Sequence, residues 1–219
     1  MQIWHTKSVK SDSQITVFGA TGQVGRQVVA LLLARGHRVV AAVHGDSSLP
    51  AHDYLSTVSV DIYDPMSVAK ALEGSTLVVS ALGSWGTKRK DVLTAGMQAI
   101  IPAMNMQSIR RIVSLTGADA RAAGDQLGII HRLMHIAIGV MAPKILRDGE
   151  RHIALLEASN LDWTVLRSPI MSSRGGVGNG ELTMRRPLPW QRISRSYVAD
   201  AIVTLIADTA QSNQAPYIR

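Results

Sequence analysis

Ile15-Thr16-Val17-Phe18-Gly19-Ala20-Thr21-Gly22-Gln23-Val24-Gly25-Arg26 is the stretch on which the reading of this chain turns. A β-branched, apolar run enters a glycine-rich turn, and an amphipathic helix pattern leaves it, from about Gln23 to Ala34. Strand, turn and helix in that order make an anion site. Gly19 lets the chain turn sharply as it leaves the strand, Gly22 removes a side chain where backbone must approach phosphate, and Gly25 lets the helix lie close on the sheet. The first N–H groups of the helix then point at the anion, helped by the helix dipole. The stretch predicts a dinucleotide site formed by Gly19, Thr21, Gly22, Gln23, Val24 and Gly25, with a merely structural turn as the alternative.

The 219 residues suit one large domain over 14–219, preceded by a loose polar leader over 1–13. Hydrophobic residues make up 46% of the chain, enough for a substantial core, and with one Phe, four Trp and four Tyr that core must rest on aliphatic side chains. The absence of cysteine excludes disulfides, thiolate nucleophiles and Cys-based metal sites. No signal peptide is read at the start, and no apolar stretch is long enough to span a bilayer, so a cytoplasmic protein without a membrane partner is expected. The net charge of +7 raises nucleic acid as a partner, but the cations are scattered and not interleaved with aromatics, which argues against it.

Further strands are expected at Arg38 to His44, Thr57 to Ile62, Thr76 to Leu82, Arg111 to Leu115 and Trp163 to Arg167. Asp64-Pro65 reads as an N-cap with proline in the first turn, opening a helix to about Glu73. Other helices are expected from Lys88 to Gln107, with a kink or loss of register at Pro102, from Gln126 to Ser159 in two pieces broken near Pro143, and from Ser196 to Ala207. Apolar strands alternating with helices predict an α/β, doubly wound, mostly parallel sheet. After Pro169 the pattern degrades into a small substrate-side region, about 170–195, with a late strand at Glu181 to Met184.

Six blocks together carry a resemblance: Thr16–Gly25, Ser59–Pro65, Leu77–Gly83, Arg111–Gly117, Leu161–Pro169 and Ile193–Ile202. By their order and spacing the chain resembles the atypical short-chain dehydrogenases/reductases of the NmrA-like, NAD(P)H-binding branch, which share a Rossmann fold. It is similar within that branch to flavin reductase and biliverdin reductase B-type proteins.

Cofactor choice is usually made just after the second strand, where an acid accepts from the ribose 2′-hydroxyl and a base pairs with a 2′-phosphate. Here that strand ends at Val43-His44-Gly45-Asp46. His44, where the resembling family commonly has Arg, favours NADPH over NADH; the alternative has His44 merely on the surface and Asp46 reaching the ribose. The resemblance places Asp61 and Ile62 at the adenine, although Asp61 also suits a turn cap. Ala81-Leu82-Gly83 ends the fourth strand where backbone can lie along ribose and diphosphate, and Ser84 adds a hydroxyl. Pro169 and Ile170 are implied as the wall beside the nicotinamide. Arg26 stands as a further phosphate contact or a solvated side chain.

The wider superfamily uses a Ser after the fifth strand and a Tyr-x-x-x-Lys pair, but this chain has no Tyr between Tyr63 and Tyr197. Ser114 and Thr116 are the candidate catalytic hydroxyls. The resemblance implies an Asp-His pair where Asp148-Gly149 stands, so that His is missing. His131 and His135 share a helix face but have no third ligand at metal spacing, and no metal site is expected. Lys88-Arg89-Lys90 reads as solvated charge or as an electropositive rim for an anionic substrate, and Trp85 as a stacking surface or a cover for its loop. Two functions remain open. One is an NADPH-dependent oxidoreductase passing hydride to a flavin, quinone or other conjugated acceptor without the Tyr–Lys pair. The other is a non-catalytic NAD(P)-binding redox sensor of NmrA-like type.

Overall fold

The computed structural model describes residues 13–45 and 49–219. The expected leader, all but its last residue, and Asp46 lie outside the described residues. The elements in chain order are β1 (Gln14–Phe18), α1 (Gly25–Ala34), β2 (Arg38–Val43), β3 (Leu55–Ser59), α2 (Pro65–Ala71), β4 (Leu77–Ser80), α3 (Val92–Met106), β5 (Arg111–Gly117), α4 (Ile129–Met141), α5 (Pro143–Glu157), β6 (Asp162–Ser168), β7 (Ile170–Ser172), β8 (Leu182–Thr183), β9 (Arg192–Ser194), α6 (Arg195–Ala207) and β10 (Tyr217–Ile218), with a short 3-10 turn before β10.

Eight strands form one sheet in the order β3-β2-β1-β4-β5-β6-β10-β8. All neighbours are parallel except β10 and β8. This is the Rossmann arrangement, and β1 stands at its switch point, paired to β2 on one side and to β4 on the other. β7 and β9 make a separate parallel pair.

Strand alternation divides the core in two. Ile15 and Val17 of β1 face α1 and α6, joining Val28, Leu32, Val198 and Ile202. Phe18 of β1 and Ile112 of β5 face α2, α3 and α5, joining Val68, Met97, Ile100 and Ile153. Thr16 is the polar exception on the second face; its buried hydroxyl lies 2.9 Å from the Ala71 carbonyl oxygen and 2.5 Å from Ser75 Oγ. The Asp64 carboxylate accepts from Met66 N at 3.0 Å with Pro65 in the first turn, the start expected for α2.

Two elements, β3 and α3, differ from expectation in ways that move candidate residues. β3 spans Leu55–Ser59, and the chain leaves the ladder before Asp61 and Ile62. α3 begins at Val92 and runs through Pro102, so Lys88-Arg89-Lys90 belongs to the preceding loop. There Lys90 Nζ donates to the carbonyls of Ser84, Trp85 and Thr87 at 3.1, 3.3 and 2.6 Å, folding the loop on itself. Among the described residues no single helix is long and apolar enough to cross a membrane; α4 and α5 meet at a 116° bend.

Candidate functional site

A cavity of about 650 Å³ opens at the carboxyl ends of β1, β2 and β4, the crevice where ligands sit in open α/β sheets. Gly19 leaves β1 with φ of +73°, and a Cβ there would lie 2.7 Å from the Ala81 carbonyl oxygen. At Gly25 a Cβ would lie 2.1 Å from the Gly19 carbonyl oxygen, backbone against backbone. Gly19 lets the turn lie against the backbone after β4, and Gly25 lets the start of α1 lie against the turn. Gly22 N donates to Gly19 O at 2.9 Å, and Arg26 Nε donates to Thr21 O at 2.7 Å, so Arg26 braces the turn.

Gly19, Thr21, Gly22, His44, Asp61, Ile62, Ala81, Leu82 and Gly83 all line this cavity. A Cβ on Gly83 would meet no protein atom within 4 Å, so the end of β4 offers bare backbone to open space. Val24 and Gly25 are buried where α1 meets the sheet, and Gln23 is exposed beside the turn. Asp61 lines the cavity and also caps its turn, accepting from Tyr63 N at 3.0 Å.

Tyr63, Lys88 and Arg89 line the same cavity; sequence reasoning missed Tyr63 and offered the cationic rim as one of two alternatives. The Arg89 guanidinium lies 3.5 Å over the Tyr63 ring and pairs with Asp91 at 2.9 Å. Tyr63 also donates to Asp91 at 3.0 Å, and burial, reinforced by that bond, pushes its phenol up to about 12. The Lys88-Arg89 rim therefore stands on the Asp61–Tyr63 side of the cavity. The only signal for it was the run of cations. Trp85 is 75% exposed and is not among the residues lining the cavity.

The expected hydroxyls lie deeper. Ser114 is buried, 2.7 Å from Nε2 of the fully buried His152 on α5. Burial drives that imidazole down to about 4, against a raising effect of Asp148. Thr116 follows on the same face and is also buried, under Gly149, where a Cβ would lie 2.9 Å from Thr116 Oγ1. Ser114, Thr116, Pro169 and Ile170 are not among the residues lining the cavity.

Asp148 does a different job from any the sequence suggested. It lies within α5 and is buried, and its carboxylate accepts from Leu93 N at 3.1 Å and Thr94 N at 2.8 Å, capping α3 from another helix. It also accepts from Ser84 Oγ, which takes Ser84 out of the cavity. Asp125 and Tyr217 hold the buried Arg167 of β6: the guanidinium pairs with Asp125 and lies 3.8 Å over the Tyr217 ring. Burial raises Asp125, but the bond and charge of Arg167 outweigh it and leave the carboxyl below its ordinary range. Among the described residues no three metal-ligating side chains converge.

A family model described as NAD(P)H-binding matches residues 19–209. Among curated proteins, a 3-beta-hydroxysteroid dehydrogenase from Mycolicibacterium neoaurum is 43% identical over 61 residues, 28% of this chain and only 17% of that protein. Among solved structures, a short-chain dehydrogenase/reductase from Veillonella parvula in complex with NADP superposes with a TM-score of 0.76 at 18% identity, covering 94% of each chain. An oxidoreductase from Lactococcus lactis gives 0.78 at 18%, covering 94% of this chain and 90% of that one. ChuY, an anaerobillin reductase from Escherichia coli, gives 0.70 at 20%, covering 94% and 96%. At these identities the likeness is one of fold.

Proposed function

This chain belongs to the NAD(P)H-binding family, and on that footing we propose that it is a reductase that uses NADPH to pass hydride to a flavin, quinone or other conjugated acceptor. The observation that carries the proposal is the cavity itself, with a glycine turn for its floor, bare backbone at Gly83 and His44, Lys88 and Arg89 at its rim. Such a cradle fits a dinucleotide. Gly19, Thr21, Gly22 and the residues after them hold the diphosphate, with Gln23, Val24 and Gly25 shaping the helix start. Asp61 and Ile62 meet the adenine. His44 and Lys88 face the 2′-phosphate, and Ala81-Leu82-Gly83 lies along the ribose.

Bound NADPH supplies the hydride. The protein's task is to hold the acceptor ring against the nicotinamide and keep water from between them, so proximity is its main catalytic contribution. Pro169, half-buried, and Ile170, 55% exposed, form the wall on that side. Thr116 is the hydroxyl nearest that end of β5, while Ser114, engaged by His152, positions α5. The acceptor takes its proton from solvent. ChuY, an anaerobillin reductase of the same fold, supports the reductase reading without naming this chain's acceptor.

The inward turn of Ser114 and the missing Tyr favour a second reading, an NAD(P)-binding redox sensor without turnover. Oxidation of NADPH in the presence of FMN, riboflavin or a quinone separates the two. Turnover abolished by Gly22→Trp supports the reductase. Tight NADPH binding with no turnover across the acceptors supports the sensor. Failure of calorimetry to detect NADH or NADPH at millimolar concentration overturns both.

A further inference from the structure

Helix α4, Ile129–Met141, is apolar along most of its length yet buries no residue. Ile129, Leu133, Ile136 and Val140 are 79%, 63%, 58% and 78% exposed. They fall at i, i+4, i+7 and i+11, one stripe along the outer side of the helix. The inner side is engaged. His131 Nε2 lies 3.2 Å from the Pro187 carbonyl oxygen. His135 lies 3.3 Å from the Asp119 carbonyl oxygen through Nδ1 and 3.5 Å from Glu150 through Nε2. These contacts fix the rotation of α4, so the stripe cannot turn inward.

We propose that this stripe is a homodimer interface, in which α4 packs antiparallel against α4 of a second copy of the chain. Three features select that occupant. Alternating steps of four and three residues are the seam by which one helix packs into another. With Ile130, Met134 and Met141 exposed on the flank of the same helix, α4 presents roughly 800 Å² of apolar surface, of the order that one partner buries in a standard interface. The four stripe residues carry no charge; Arg132, the one charged residue of α4, is exposed on their flank, so each copy brings a single cation to the edge of the seam. A lipid surface asks for something else, an apolar face backed by a polar face rich in Lys and Arg, whereas the inner face of α4 presents two histidines to its own protein. Two-fold symmetry makes the contact reciprocal. Leu133 then faces Ile136 of the partner subunit, and Ile129 faces Val140 of the partner subunit.

Sedimentation velocity on the full chain tests this. The expected species at micromolar concentration is a dimer of twice 23.6 kDa, and Leu133→Glu combined with Ile136→Glu converts it to a monomer with an unchanged circular dichroism spectrum and unchanged NADPH binding. A monomeric parent protein, or a dimer that survives both substitutions, overturns the proposal. So does a monomer that co-sediments with phosphatidylserine vesicles. Because the chain has no cysteine, a cross-link gives an independent measurement. Mixed Leu133→Cys and Ile136→Cys copies form a disulfide dimer faster than either variant alone; equal rates overturn the antiparallel pairing.

Discussion

The two halves of the sheet use their residues differently. Every residue lining the cavity lies between Phe18 and Val92, and much of that lining is backbone or small side chain from the ends of β1, β2 and β4. From β5 onward the sheet is richer in buried polar side chains, but these are committed to holding the fold. Ser114 is tied to His152, Asp148 to the start of α3, and Arg167 to Asp125. The first half presents a preformed surface to a ligand. The second half spends the groups that usually do acid–base chemistry on positioning helices, which is why a reaction needing only two stacked rings suits it.

The sharpest way to break this comparison is to fill the closest approach in the first half. In Gly25→Val the new Cβ lies 2.1 Å from the Gly19 carbonyl oxygen, and neither backbone can move without separating α1 from β1. The expected loss is about 4 kcal/mol or more in urea unfolding, with NADPH binding abolished. Gly36→Ala is the control. Gly36 has φ of +79° but nothing within 4 Å of a Cβ, so its cost is only the left-handed backbone, about 1–2 kcal/mol. Equal losses in the two variants would mean that the turn is not held by steric closure.

The second half is sharpened through pH. His152 titrates at about 4 in the folded protein against 6.5 when exposed, because burial disfavours the imidazolium. Between those values the unfolded chain binds the extra proton, so the contribution is complete above about pH 6.5 and is lost as pH falls toward 4. The ceiling on the effect is about 3 kcal/mol. His37, also lowered by burial, acts in the same direction. His152→Asn flattens the fall in urea-unfolding stability over this window. A variant as acid-sensitive as the parent would place the sensitivity elsewhere and free His152 from the structural role assigned to it.

What was legible follows the same division. The glycine turn, the Asp64-Pro65 start and the parallel strands all carry their signal within a few neighbouring residues, and the doubly wound, mostly parallel sheet followed from them. Several features came from partners far away in sequence. The start of α3 is capped by Asp148, 54 residues from Thr94, so the cations at 88–90 read as part of a helix they precede. β7, β9 and β10 have three residues or fewer, too short for any period to show. Alternation on β5 sets the face Ser114 points to, but not that α5 brings a histidine onto it. Tyr63 enters the cavity because the chain leaves β3 at Ser59, earlier than its apolar run suggested.

The smallest expected effect tests how the first half selects its ligand. His44 follows β2 on the cavity wall, exposed, where a base can donate to a 2′-phosphate. Lys88 reaches the cavity from the loop after β4, and Arg89 does so with its charge shared by Asp91. Recognition spread over several groups means that no one of them is decisive. His44→Asp should weaken NADPH binding about tenfold, about 1.4 kcal/mol, and leave NADH unchanged or slightly tighter, because the new carboxylate repels phosphate but accepts from a ribose hydroxyl. Lys88→Ala should weaken NADPH by less and NADH not at all. If the parent protein already binds NADH better, His44 and Lys88 are surface charges and the NADPH preference falls. The cavity would then still serve a dinucleotide, because its glycine floor does not depend on which ribose hydroxyl carries the phosphate.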